Sequence, residues 1–215
     1  MGWYLFLVMI YSKNKIKLKL KYYKAIFIFT CLCMLFIECK QKDSSKKNSV
    51  PIDLPYTFKS KKAENLSIKA FNFFEEEKYE EAINIYQLAI QTEPDNPKLF
   101  FGLSMCYFNK NEMSTALSAI NTAIKLDSLN AIFYGNRGLI YWRLYKDEKA
   151  IDNYTKAMAL GSNNYVTYAN LSIAHYTNKD LGKACETFKI AKGLGLPADF
   201  ISNDKYLIKI DKLCR

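Results

Sequence analysis

The chain has 215 residues, half of them hydrophobic, with 31 Lys plus Arg against 21 Asp plus Glu and a single histidine. That is apolar side chain enough for one ordinary domain and an appendage. The formal charge of +10 is confined to the start: residues 1–62 hold 13 Lys and 3 acidic side chains, and residues 63–215 hold 18 cations against 18 anions. Phosphate binding needs a local surplus of cations, which the neutral part lacks, so no nucleic-acid partner is expected.

In chain order, "KNKIKLKLKYYK" (Lys13 to Lys24) carries six lysines and no acid, and "AIFIFTCLCMLFI" (Ala25 to Ile37) is uncharged and apolar. A basic segment followed by a short apolar one reads as an export signal over residues 1–38. Its apolar part would rise only about 20 Å as a helix, short of a hydrocarbon core of about 30 Å. Met9 offers an alternative start, after which the basic block is an ordinary signal beginning. The apolar run ends at Cys39, and "KQKDSSKKNSVPIDLPYTFK" (Lys40 to Lys59) has the composition of a tether. This arrangement resembles a bacterial lipoprotein signal, although Glu38 stands where that pattern has a small residue. The resemblance implies that Cys39 is acylated through its thiol and heads a tether over residues 39–62. The protein is then lipid-anchored in the bacterial cell envelope, at the outer membrane on its periplasmic side or surface. The plainer alternative is a free cysteine behind an ordinary cleaved signal or a short signal anchor.

Beyond residue 62 the chain repeats. "YEEAINIYQLAIQTEPDN" (Tyr79 to Asn96), "MSTALSAINTAIKLDSLN" (Met113 to Asn130), "DEKAIDNYTKAMALGSNN" (Asp147 to Asn164) and "LGKACETFKIAKGLGLPA" (Leu181 to Ala198) share one 34-residue frame without insertions. Small residues recur at its eighth place (Ala70, Ser104, Gly138, Ser172), twentieth (Ala82, Ala116, Ala150, Ala184) and twenty-seventh (Ala89, Ala123, Ala157, Ala191). Large ones recur at the fourth, eleventh and twenty-fourth, among them Phe73, Tyr86, Tyr107, Tyr141, Tyr154 and Phe188. The physical reading is two short amphipathic helices per copy, approaching closely where one offers Ala, Gly or Ser to a ring of the other. The five prolines all fall outside long periodic segments, which favours an all-α chain.

The pattern resembles the tetratricopeptide repeat over residues 63–198, with Lys69 and Arg137 standing where that family has an apolar seventh residue. The resemblance implies an α-α superhelix, a solenoid of four helix pairs at 63–96, 97–130, 131–164 and 165–198. A stack needs a solvating end. "ADFISNDKYLIKIDKLCR" (Ala198 to Arg215) supplies a capping helix over 199–215, with Tyr206, Leu207, Ile210, Leu213 and Cys214 on its apolar face and Ile208 as the misfit.

Catalytic chemistry is not expected. The lone His175 occupies a core aromatic place, and no phosphate loop, metal-spaced cluster or nucleophile motif appears. No cofactor, metal or small-molecule substrate follows. Of Cys106, Cys185 and Cys214, the last two fall in the final repeat and its cap, so either they pair and pin the cap or all three are buried thiols. In the resembled family the first helix of each pair lines a concave surface that holds peptides. The matching places here are Phe101, Met105, Phe108 and Asn109, then Asn136, Leu139, Trp142 and Arg143, then Asn170, Ile173, Tyr176 and Thr177. The alternative for Leu139 and Ile173 is helix packing. Lys98 is the lone cation of the set some family members use to clamp a terminal carboxylate, so that mode is not supported. The expected partner is a protein or peptide segment, with the membrane reached through the lipid anchor. The second reading is a scaffold subunit of an envelope complex or homo-oligomer.

Overall fold

The structure, a computed structural model, describes residues 57–215; the signal segment, Met9, Cys39 and the tether up to residue 56 lie outside the described residues. Ten helices account for the ordered elements there. They are α1 (Lys61–Glu75), α2 (Tyr79–Thr92), α3 (Pro97–Asn109), α4 (Met113–Leu126), α5 (Ala131–Arg143), α6 (Asp147–Ala159), α7 (Tyr165–Thr177), α8 (Leu181–Gly193), α9 (Ala198–Ser202) and α10 (Lys205–Leu213). None of them is long and apolar enough to cross a membrane.

The boundaries follow from repeated local chemistry. Asn96, Asn130 and Asn164 each sit in extended backbone just before α3, α5 and α7, and each side chain accepts a backbone N–H of the first turn. Such a cap satisfies a donor that the helix leaves orphaned. Inside each pair the turn is made by one residue in the left-handed region: Glu77 (φ 60°), Asn111 (64°), Tyr145 (57°) and Lys179 (64°). The next residue's N–H then reaches back to the helix, as in Lys146 N–H to Tyr141 O at 3.0 Å and Asp180 N–H to His175 O at 2.9 Å. That is the helix-ending motif in which a left-handed residue lets two trailing N–H groups satisfy orphan carbonyls.

Pairs α1/α2, α3/α4, α5/α6 and α7/α8 pack internally, and each second helix packs on the following first helix, so the core is one stacked layer. All eight alanines at the twentieth and twenty-seventh places are fully buried. They leave room for Tyr86, Ile120, Tyr154 and Phe188, which are buried too. The approach is so close at Gly102 that an added Cβ would stand 2.3 Å from the Tyr86 ring.

The C-terminal segment differs from the single helix expected over 199–215. α9 stops at Ser202, and the Asp204 carboxylate starts α10 by accepting the N–H groups of Tyr206 (2.7 Å) and Leu207 (3.0 Å). A strong N-cap residue inside the segment breaks it. α10 packs on α7 and α8 and buries Leu207 and Ile210 completely, whereas Leu213 is 45% exposed and leaves the apolar face assigned to it. Ile208 is half-buried.

Candidate binding groove

The first helices α1, α3, α5 and α7 carry the residues singled out for binding, and their fates diverge. Phe101 is 1% exposed and packs on Phe133, ring centroids 5.5 Å apart. Ile173 is 5% exposed within the cluster formed by Phe188, Leu207 and Ile210. Neither presents surface to a ligand, so both are corrected from groove to seam and cap packing. The reason is geometric: a large side chain at those places fills the gap to the next helix of the stack.

Around them a polar and aromatic surface remains. Phe108 is half-buried beneath Arg143, whose guanidinium carbon lies 5.3 Å from the ring centroid and whose Nη2 donates to Asn111 Oδ1 at 3.2 Å. The stack joins α3 to α5 through a cation held over a ring face. Asn109 and Asn136 turn their amides onto their own helices, donating to Met105 O (2.9 Å) and Ile132 O (2.8 Å). An amide has a second N–H and a carbonyl oxygen, so this still offers donor and acceptor capacity to a backbone. Met105 is half-buried against the first core cluster. Leu139 and Asn170 are half-buried. Beside Asn136, Gly135 faces open space, with no atom within 4 Å of where a Cβ would stand. Thr177 donates its hydroxyl to Asp147 Oδ1 at 2.9 Å and is committed to packing α7 on α6.

At the far end of the strip the structure places a residue not assigned to it from sequence. Tyr206 of α10 lies edge-to-face against Trp142 at 5.6 Å and against Tyr176 at 6.3 Å. Tyr206 carried an apolar-face signal, but nothing in the sequence says that the face extends to α5.

Cys185 and Cys214 are joined by a disulfide with Cα atoms 5.4 Å apart, tying α8 to the residue after α10. Cys106 is a buried free thiol, pushed up to about 12 by desolvation. His175 is 7% exposed with an unpartnered Nδ1, and desolvation holds its pKa below the usual imidazole value. A cleft of about 240 Å³ lies beside the disulfide, and there Lys192 and Arg215 both pair with Asp211. Those charges satisfy one another rather than a ligand.

Two family models, both described as tetratricopeptide repeat, match residues 73–132 and 131–164. Residues 73–164 therefore carry the tetratricopeptide-repeat pattern as those models describe it. No curated protein matches the chain significantly. Among solved structures, the first tetratricopeptide domain of Spaghetti (RPAP3), bound to the HSP90 peptide SRMEEVD, is 29% identical with a TM-score of 0.53; the match covers 57% of this chain and 95% of that one. The first tetratricopeptide domain of human RPAP3 is 28% identical with a TM-score of 0.54, covering 55% and 94%. A double mutant of MamA RS-1 is 15% identical with a TM-score of 0.60, covering 72% and 95%, and so shares the fold of these repeats. The repeats of this chain are therefore helical-solenoid repeats by architecture as well as by sequence.

Proposed function

We propose that this protein is a non-catalytic adaptor whose tetratricopeptide repeats grip a protein or peptide segment along α3 and α5. It is held at the membrane of a bacterial envelope by a lipid on Cys39. The observation that carries the groove reading is the accessible patch of Phe108 with Arg143, Asn109, Asn136 and Leu139 beside the open surface at Gly135. Aromatic and guanidinium groups with amide donors and acceptors suit an extended segment: the rings supply anchor area and the amides fix the backbone. The solved relative with a bound peptide supports the same use of the repeats.

Photo-crosslinking in living cells tests it, with the reactive residue at Asn136 and a control at Lys156, which is exposed on α6. A discrete product from Asn136 alone is expected, and mass spectrometry of that band names the partner. Equal products from both positions, or none, remove the groove as the working surface. The anchor has its own readout: Cys39→Ala is expected to abolish acyl-label incorporation and membrane fractionation.

A further inference from the structure

The end of the strip already has an occupant. Trp142 and Tyr176 hold the same place in successive repeats, on α5 and α7, and Tyr206 touches both. One side chain of α10 thus bridges the rings that two successive first helices carry at that place. Behind Tyr206 the helix is fastened at three levels. Leu207 and Ile210 enter the cluster of Ala169, Phe188 and Ala191. Asp211 pairs with Lys192 at 3.0 Å, and Cys214 is bonded to Cys185.

We propose that α10 is a resident ligand of the strip, latched by the Cys185–Cys214 disulfide, and that thiol reduction of this bond frees the seat between Trp142 and Tyr176 for an aromatic side chain of the partner segment. This rests on the groove reading above and adds to it a regulation and the chemistry of one subsite. Without the latch, α10 is a nine-residue helix, far below the length that persists on its own. Its pairs from Asp211 reach Lys192 and Arg215, whose side chains are largely exposed, and such pairs hold weakly. What then keeps α10 in place is the burial of Leu207 and Ile210 and the ring contacts of Tyr206, and a partner ring competes for the contacts of Tyr206. The seat suits Tyr, Phe or Trp, because two rings already stand ready for an edge-to-face approach.

The step is ordinary thiol exchange with a dithiol reductant. One thiolate attacks a sulfur of the bridge, the Sγ–Sγ bond breaks, and a mixed disulfide forms. The second thiol of the reductant closes its own disulfide, leaving two protein thiols, so two electrons and two protons pass to Cys185 and Cys214. Cys106, buried in the first core cluster, takes no part.

The test uses the full chain carrying Trp3→Phe, which leaves Trp142 as the only indole of the two in the sequence. Acrylamide quenching of Trp142 and hydrogen exchange are compared for the oxidised protein, the dithiol-reduced protein and the Cys185→Ser variant. Reduction or Cys185→Ser is expected to raise exchange of the α10 amides at least about tenfold and to increase quenching, with α1 to α6 unchanged. Tyr206→Ala, with the disulfide intact, is expected to increase quenching by itself. Exchange of α10 that is as slow after reduction as before overturns the latch. Quenching that ignores Tyr206→Ala overturns the occupied seat. In cells, a cross-linker at Tyr176 should give more product in Cys185→Ser than in the parent chain, while the product at Asn136 is present in both. A Tyr176 product that does not rise overturns the partner's use of the seat. Absence of any Asn136 product refutes the groove reading instead, and leaves the optical result standing.

Discussion

Gly138 lies against the ring of Tyr154 so closely that a Cβ would stand 2.9 Å from Cε1 and 3.0 Å from Cδ1. Tyr154 is buried in the core of the third repeat and cannot swing away. Gly138→Ala is therefore expected to destabilise the protein by about 1–3 kcal/mol through overpacking, despite the better helix propensity of alanine. Gly135, one turn earlier on the same helix, meets nothing, so Gly135→Ala should stabilise by about 0.5–1 kcal/mol. Denaturant midpoints moving in opposite directions are the signature. The same sign for both would mean that the frame places one of them wrongly.

Tyr145 holds the left-handed turn between α5 and α6 at φ 57° with 92% of its surface exposed. An L side chain there is strained and gains no burial in return, so Tyr145→Gly should stabilise by about 0.5–1 kcal/mol. Asn111 sits in the same turn one repeat earlier, where asparagine tolerates the conformation and its Oδ1 accepts from Arg143 Nη2, so Asn111→Gly should gain nothing and lose that exposed hydrogen bond. Urea melts of the two variants decide it, and a loss of stability for Tyr145→Gly would contradict the turn geometry.

Arg137 replaces an apolar residue of the repeat pattern and is used as a fork. Its Nε donates to Asn153 Oδ1 at 2.7 Å and its Nη1 to Asn121 Oδ1 at 3.0 Å, joining α5 to both α6 and α4. Arg137→Leu should cost about 1–3 kcal/mol, because the largely buried Asn153 loses its donor. Asn153→Ala should then cost less in that background than alone. Strict additivity in the double-mutant cycle would show that the fork is decorative.

His175 has an unpartnered, buried Nδ1, and desolvation, opposed by the charge of Asp180 and aided by that of Lys183, lowers its pKa. An unfolded imidazole titrates near pH 6.5, so the unfolded chain binds the proton more readily than the folded one. The stability His175 contributes is complete above about pH 6.5 and is lost as pH falls through that value towards the lower folded pKa. Between pH 7.5 and pH 5.5 the wild type should lose more stability than His175→Phe. Parallel losses would assign the pH dependence to other groups.

Much of this was legible because it is local or periodic. The small places of the 34-residue frame, Ala82 and Ala89 through Ala184 and Ala191, fix where helices approach. The neutrality of residues 63–215 follows from composition alone.

What the sequence could not decide was which of two neighbours a side chain faces. Phe101 and Met105 lie on one helix stripe, yet Phe101 fills the seam against Phe133 while Met105 keeps part of its surface, because the next helix approaches one place and not the other. Asp204 reads as one more polar residue until its carboxylate is seen capping α10 and re-aiming it. Tyr206 of α10 then reaches Trp142 of α5, a contact between residues far apart in sequence that no periodicity encodes. Periodicity determines which residues share a face, and packing between elements decides what that face meets.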